Sequence, residues 1–277
     1  MKVAMITGAS KGIGLELTKK LIRENWEIIA VIRSNFSEEE KQIQDLILAK
    51  KIRIYRAADL ADFQDLKRVL NEIKAQESKI DVLFNNAGGS FDRLYYSKQS
   101  RELHFEIQTV VPYIITMEMR DLLKKGTIGK VVNTSSNAFK FTKKLSYQEL
   151  ENPSSFKKLV GPYANSKLAV SLWSREAAAE LKKEDITILS VDPGSNNTLR
   201  KGTEGGLPFI VQLMMKSFFS HPSKGASLLY EGAVGDNDAF SGAYLVKNKV
   251  TPLKFTTLSK EILHALKNIY TNEYLKK

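Results

Sequence analysis

Cysteine is absent from this 277-residue chain and histidine is scarce, with His104, His221 and His264 far apart in sequence. The first absence excludes disulfides, thiolate metal sites and a cysteine nucleophile. The second leaves no clustered imidazoles for a metal ion. No metal site is expected, and each histidine reads as an ordinary surface or helix residue. Long apolar runs are missing too, since nothing approaches the roughly 18 consecutive apolar residues of a membrane-span candidate. Met1-Lys2 leads straight into a core-like segment without a signal-peptide pattern, so a soluble, cytoplasmic protein with no membrane span is expected. Low-complexity segments, linker-like stretches and internal repeats are also lacking, which argues against extended disorder.

What remains is the composition of an ordinary globular protein. Hydrophobic residues make up 43% of the chain and charged residues 26%, enough to support a substantial core. The 42 basic and 31 acidic residues give a formal charge of +11, which suits an anionic ligand. The lysines are spread, however, and only short pairs such as Lys143-Lys144, Lys157-Lys158 and Lys182-Lys183 stand out, without the aromatic interleaving of a single-strand-binding surface. Solvated faces are the default reading, and no specific nucleic-acid binding is expected.

The most informative stretch is Met1 to Arg23. Val3, Ala4, Met5 and Ile6 form an apolar run that breaks at Thr7-Gly8-Ala9-Ser10-Lys11-Gly12-Ile13-Gly14, after which Leu15, Leu17, Leu21 and Ile22 recur at helical spacing. This is buried strand, glycine turn, helix. Glycines at such a junction permit a tight turn, close approach to a pyrophosphate and close helix–strand packing, while the helix N-terminus presents unpaired N–H groups to the phosphate. The spacing is Gly-x-x-x-Gly-x-Gly and lacks the Gly-Lys-Ser/Thr ending of a P-loop. A nucleotide site is the leading reading; a glycine turn with no ligand is the alternative.

A second strand is expected at Glu27–Ile32, ending where a ribose-recognising acid stands in NAD-binding folds. Here the chain reads Arg33-Ser34-Asn35. Arg33, with Lys11 from the glycine turn, suits a 2′-phosphate, so NADPH is expected over NADH; two solvated surface cations are the alternative. Ser37-Glu38-Glu39-Glu40 reads as a helix start leading through Ile43, Leu46 and Ile47. A third strand is expected at Ile52–Arg56, then Asp59-Leu60. Asp59 suits either an adenine amine or a turn. A helix over Phe63–Gln76 and a strand over Ile80–Phe84 follow.

That strand leads into Asn85-Asn86-Ala87-Gly88. Together with the glycine turn and the later Tyr163-Ala164-Asn165-Ser166-Lys167, it makes the chain resemble the short-chain dehydrogenase/reductase family, in which these motifs occur in this order; the likeness covers Val3 to Thr198. The resemblance implies one doubly wound, Rossmann-type α/β domain over residues 1–277, with a mostly parallel sheet flanked by helices and NADP(H) as cofactor. It implicates Gly8, Ser10, Lys11, Gly12, Ile13, Gly14, Arg33, Asp59, Leu60, Asn86, Ala87, Gly88, Tyr163, Lys167, Pro193, Gly194 and Thr198 in cofactor binding. Asn85 is implied to steady the central sheet, as an amide can bridge backbone groups that diverging strands leave unpaired. Thr198 has a second reading as a helix cap.

For catalysis the resemblance implicates Ser136, the second serine after a strand at Lys130–Asn133, with Tyr163 and Lys167. Gly161-Pro162 suits a helix start, which sets Tyr163 and Lys167 on one helix face. A free phenol titrates near pH ~10, and a neighbouring ammonium is expected to lower that value. Tyr163 would give a proton to a carbonyl oxygen held by Ser136, and Lys167 would bind the nicotinamide ribose. Gln108 stands where the family has Asn, whose backbone carbonyl binds a proton-relay water; turnover is expected to be retained but slowed. The long Phe139–Val160 segment between Ser136 and Tyr163 is similar to the retinol-dehydrogenase and protochlorophyllide-reductase-like branch, which implies an apolar carbonyl or alcohol substrate.

Ile186–Val191 is expected as the sixth strand, followed by late elements at Pro222–Ala233 and Gly242–Val246 and a final helix capped by Ser259. About 195–222, rich in Leu, Phe and Met between 207 and 219, reads as a substrate lid or a core or subunit-contact segment. The expected activity is NADPH-dependent carbonyl reduction, or oxidation of the corresponding alcohol, on a small, partly apolar molecule. A homodimer or homotetramer is left open. The competing readings are an NADP(H)-binding sensor with little turnover and a reductase of activated C=C bonds.

Overall fold

In the computed structural model, which describes residues 1–196 and 220–276, alternate side chains of the first apolar run enter opposite cores. Val3 and Met5 of β1 (Val3–Thr7) join one buried cluster, while Ala4 and Ile6 join the other. β2 (Glu27–Ile32) repeats the split, with Ile29 and Val31 against Ile28, Ala30 and Ile32. Successive strand residues face opposite sides, so a sheet covered on both faces needs apolar residues throughout its strands. One cover comes from α1 (Gly12–Arg23), through Leu17 and Leu21, and the other from α3 (Phe63–Gln76), through Phe63, Leu66, Val69, Leu70 and Ile73.

These strands and β3 (Ile52–Arg56), β4 (Val82–Asn85), β5 (Lys130–Thr134), β6 (Thr187–Asp192), β7 (Tyr244–Val246) and β8 (Lys249–Val250) make one eight-stranded sheet. Its order is β3-β2-β1-β4-β5-β6-β7-β8, parallel throughout except for the antiparallel β7–β8 pair. The chain runs outward from β1 to β3 and then returns to build in the other direction from β4. The reversal opens a crevice at the C-terminal ends of β1 and β4, the position where open α/β sheets bind ligands. The doubly wound Rossmann-type reading therefore holds.

Boundaries differ where side chains compete for backbone groups. The second helix, α2, runs over Lys41–Leu48, four residues later than Ser37 suggests, because the Ser37 hydroxyl accepts the Glu39 N–H (3.3 Å) and holds a turn. Ser259 does not cap the last long helix; it is the first residue inside it, and its buried hydroxyl has no partner among the described residues. Farther in, the Asn85 amide donates to Asn133 Oδ1 (2.8 Å), and Asn133 donates to Ser174 Oγ (2.8 Å), tying β4 and β5 to the helix Pro162–Lys182.

Asp81 anchors the opposite end of the sheet. Its fully buried carboxylate accepts the Val3 N–H (2.7 Å), the Thr127 N–H (2.6 Å) and the Thr127 hydroxyl (2.8 Å), and pairs with Lys79 at 3.0 Å. Burial pushes its pKa up, but these hydrogen bonds outweigh it and hold the group below the ordinary 3.8. Asp81→Asn is expected to lower stability by about 3 kcal/mol at neutral pH, from the loss of a buried charge with its donors. A depressed carboxylate pKa stabilises above the unfolded-state value and ceases to as pH falls through the folded value. The gap in Tm between parent and variant should thus narrow below pH 3.8, which calorimetry across pH checks.

Candidate active site

The glycine turn is shaped by close backbone approach. Gly8 has φ of 70° and Gly12 of 55°, the left-handed region that favours glycine. A Cβ on Gly14 would lie 2.1 Å from the Gly8 carbonyl oxygen and 2.7 Å from Asn86 Nδ2. Asn86 Nδ2 in turn donates to the Thr7 carbonyl at 3.1 Å, and Thr7 Oγ1 accepts the Asn86 and Ala87 N–H groups at 3.0 and 2.9 Å. The β1 and β4 ends are thereby locked together. At the N-terminus of α1, Lys11 occupies the cap position without a side-chain hydrogen bond. Ser10 is buried beneath the turn and Ile13 is half-buried, while Lys11 and Arg33 are exposed and form no salt bridge among the described residues. Asp59 is also exposed; its Oδ1 accepts the Ala61 N–H (2.9 Å), so its side chain holds a turn, with half-buried Leu60 inside it.

The two serines after β5 divide their work. Ser135 is buried and structural: its hydroxyl bonds the Lys167 carbonyl (2.9 Å) and Ser171 Oγ (2.8 Å). Ser136 accepts the Ala138 N–H (3.2 Å) and lies close enough to the Tyr163 phenol to pull its pKa down. The helix carrying Tyr163 (Pro162–Lys182) begins at Pro162 and places Lys167 one turn on. Lys167 Nζ donates to the Thr134 carbonyl at 2.7 Å. Ser136, Tyr163 and Lys167 are thus brought together at the end of β5.

Burial decides the electrostatics here. It pushes Lys167 down to about 7. It pushes the Tyr163 phenol above its ordinary value; the nearby Ser136 hydroxyl pulls the other way, and the Asp192 carboxylate adds to the rise. The expectation that the Lys167 ammonium lowers the phenol pKa is corrected accordingly: desolvation dominates, and Lys167 directs one of its hydrogen bonds to the Thr134 carbonyl. Asp192, buried at the end of β6, is itself pushed up by burial against the hydrogen bond from the Gly194 N–H (3.0 Å).

Gln108 sits inside a π-helical turn, Glu106–Val110, between the helix α4 (Leu103–Phe105) and its continuation α5 (Val111–Glu118). Such turns recur at functional sites. Its side chain does not point along the helix; Nε2 donates to the Gly89 carbonyl (3.2 Å), and a Cβ on Gly88 would meet Gln108 Cγ at 3.0 Å. Gln108 Oε1 is buried without a partner among the described residues. The longer side chain therefore bears on the Ala87–Gly89 backbone.

Two residues stand beside Tyr163 that sequence reasoning did not put there. Asp192 stands in the sequence directly before Pro193-Gly194, with no motif of its own to mark it. His104, read as a surface or helix residue, is fully buried, with its ring edge-on to Tyr163 at 6.0 Å between centroids. Its spacing one helical turn before Gln108 was the available signal. On the far side, Gly194 has φ of 74° and Asn196 Nδ2 donates to the Pro193 and Gly194 carbonyls, both at 2.8 Å. Thr198 and the apolar stretch 207–219 lie outside the described residues. Among the described residues there is no cluster of metal-ligating side chains, and no helix is long and apolar enough to cross a membrane.

A parallel sheet reversing at β1 and β4, with a glycine turn and a Ser-Tyr-Lys group at its C-terminal edge, defines a Rossmann-type oxidoreductase fold. The chain matches the short chain dehydrogenase family model over residues 2–148, more than half its length, and belongs to that family of oxidoreductases. It is 26% identical over 276 residues to Retinol dehydrogenase 12 of Mus musculus, covering 95% of this chain and 86% of that protein. Polyprenol dehydrogenase of Danio rerio is also 26% identical over 276 residues, covering 94% and 83%. These likenesses put the chain in a retinol-dehydrogenase-like branch. The NADPH-bound carbonyl reductase from chicken fatty liver has the same fold, with a TM-score of 0.66 at 20% identity over 91% of this chain and 99% of that one.

Proposed function

We propose that the protein is an NADPH-dependent carbonyl reductase, or alcohol dehydrogenase in reverse, for a small, partly apolar substrate. The observation that carries this reading is the placement of Ser136, Tyr163 and buried Lys167 together at the end of β5, at the same sheet edge as the Gly8–Gly14 turn. The chain's own residues fit a dinucleotide: the turn leaves no room for a Cβ at Gly14, and the N-terminus of α1 has no side-chain cap. Gln108 Oε1 is a buried acceptor beside Gly88. Gly8, Ser10, Gly12, Ile13 and Gly14 would hold the pyrophosphate end, Asp59, Leu60 and Asn86–Gly88 the adenosine side, and Pro193, Gly194 and Thr198 the nicotinamide. NADPH, when bound, supplies the hydride that reduces the carbonyl carbon.

Each side chain has a separate task in this reading. The Ser136 hydroxyl donates a hydrogen bond to the carbonyl oxygen and fixes its place. The Tyr163 hydroxyl gives that oxygen its proton, and a raised phenol pKa keeps the hydroxyl protonated and ready to donate at neutral pH. Lys167, on the same face, orients the ribose and passes a proton back to Tyr163. Names of relatives that act on retinol and polyprenol, both apolar alcohols, support an apolar substrate. NADPH oxidation over a panel of apolar aldehydes, ketones and quinones tests the proposal; tight NADPH binding with no carbonyl reduced would instead favour a cofactor sensor.

Arg33 and Lys11 carry the cofactor preference. Exposed guanidinium and ammonium groups near the end of β2 and in the turn suit a 2′-phosphate, and nothing acidic stands at Arg33-Ser34-Asn35 to bind a free ribose diol. Arg33→Ala is expected to weaken NADPH about 30-fold, the loss of a charge-assisted contact, while leaving NADH within about twofold. Titration of both cofactors by protein fluorescence checks it; equal losses for the two would remove Arg33 from phosphate recognition.

A further inference from the structure

We infer that Glu102 and His104 are positioning residues that fix Phe91–Tyr95 as one rim of the carbonyl-binding cleft beside Tyr163. The inference rests on the reductase reading. His104 is 0% exposed, yet it links a surface segment to the proposed acid. Phe91 N–H donates to His104 Nε2 at 3.0 Å, so Nε2 carries the lone pair and Nδ1 the hydrogen, which donates to Glu102 Oε1 at 2.6 Å. The Phe91 ring lies 4.6 Å from the His104 ring, and the His104 ring 6.0 Å from that of Tyr163. Phe91, His104 and Tyr163 form a continuous aromatic row from rim to proton donor.

Glu102 is held as firmly. Its second carboxylate oxygen accepts the Phe105 N–H (3.0 Å), and its own N–H donates to the Glu151 carbonyl (2.8 Å) in the inserted helix Tyr147–Glu151. The rim joins the same anchor at two more points: Leu103 N–H donates to the Tyr95 carbonyl at 2.9 Å, and Tyr96 pairs with Glu102 in an antiparallel bridge. Phe91 and Tyr95 are half-buried and meet edge to face at 5.8 Å. Asp92 and Arg93 between them are exposed. A histidine serving only the core would face core side chains. This one is divided between an anchored carboxylate, a rim amide and the tyrosine ring, which is how a supporting side chain fixes a wall of a site.

The two ring nitrogens can be tested apart. His104→Asn keeps a donor near Glu102 and removes the acceptor for Phe91; His104→Gln keeps an acceptor where Nε2 stood. His104→Asn is expected to raise KM for the preferred carbonyl about tenfold with kcat within about threefold, the pattern of a misplaced substrate rather than a lost proton donor. NADPH affinity should not change. His104→Gln should restore KM to within about threefold. Amide hydrogen exchange at Phe91 should accelerate in His104→Asn and remain slow in His104→Gln, a readout independent of turnover. Should His104→Asn fail to fold, Glu102→Gln, which retains an acceptor for the Phe105 N–H, should shift KM in the same direction by less. Equal losses of Tm in both His104 variants with unchanged KM would overturn the inference, as would a fall in kcat alone. A parent protein that binds NADPH but reduces no carbonyl would overturn the reductase reading and the cleft assignment; slow Phe91 exchange would then leave only a structural strut.

Discussion

Tyr163→Phe should reduce carbonyl turnover about a thousandfold, the size of a lost general acid, while NADPH affinity stays within about twofold. The substitution removes one oxygen from a ring packed against His104 and leaves the ring in place. Burial raises the Tyr163 phenol above its ordinary value. The pH dependence follows from the direction of that shift. Reduction needs the protonated phenol, and a raised pKa keeps it protonated, so Tyr163 ionisation should not reduce the forward rate below pH ~10. Oxidation needs the phenolate, so the reverse rate should climb through the alkaline range without levelling below that value. Lys167, pushed down to about 7, gains its proton only as pH falls through that region, and a forward rate that rises as pH falls toward 7 would report its charge. Profiles of kcat in both directions check these signs. A Tyr163→Phe protein with more than a tenth of parental turnover would remove the tyrosine from catalysis.

Gly14→Ala is the second large effect. Alanine favours a helix by about 1 kcal/mol over glycine, so propensity alone predicts a gain. The clash reverses the sign: the new methyl would sit 2.1 Å from the Gly8 carbonyl oxygen, which is backbone and cannot swing aside. Gly8 is itself tied by its N–H to the Val31 carbonyl at 2.8 Å. The turn must open or α1 must shift, at about 1–3 kcal/mol for overpacking. Either movement displaces the N–H groups proposed to meet the pyrophosphate, so NADPH affinity should fall at least about a hundredfold, from two or more lost charge-assisted contacts. Cofactor titration with a thermal melt checks it. A variant that melts lower but still binds NADPH as the parent does would separate the turn from the cofactor.

The parts of this fold that were legible in the sequence are those set by local pattern. The runs at Glu27–Ile32 and Ile52–Arg56 and the periodic segment Phe63–Gln76 became β2, β3 and α3 with those boundaries, because the spacing of their apolar side chains is itself a local signal. Ser37 and Ser259 misled for the same physical reason: a hydroxyl near a helix start resembles a cap whether or not it reaches an N–H, and Ser37 closes a turn instead. At the site, the motifs led to Ser136, Tyr163 and Lys167, and the structure brings these together. His104 was illegible because its partners, Glu102, Phe91 and Tyr163, meet only after the chain has folded. The rise in the Tyr163 pKa was illegible because it comes from burial beside Asp192, on a separate strand.

Hydride transfer itself is the most direct test. NADPH deuterated at both C4 positions of the nicotinamide, incubated with the protein and the best apolar aldehyde or ketone of the panel, should place one deuterium on the carbinol carbon of the product, detected by mass spectrometry and NMR, and Tyr163→Phe should lose that product. Deuterium on a carbon beta to an intact carbonyl would mean C=C reduction, and no deuterated product from any carbonyl despite bound NADPH would contradict the reductase account.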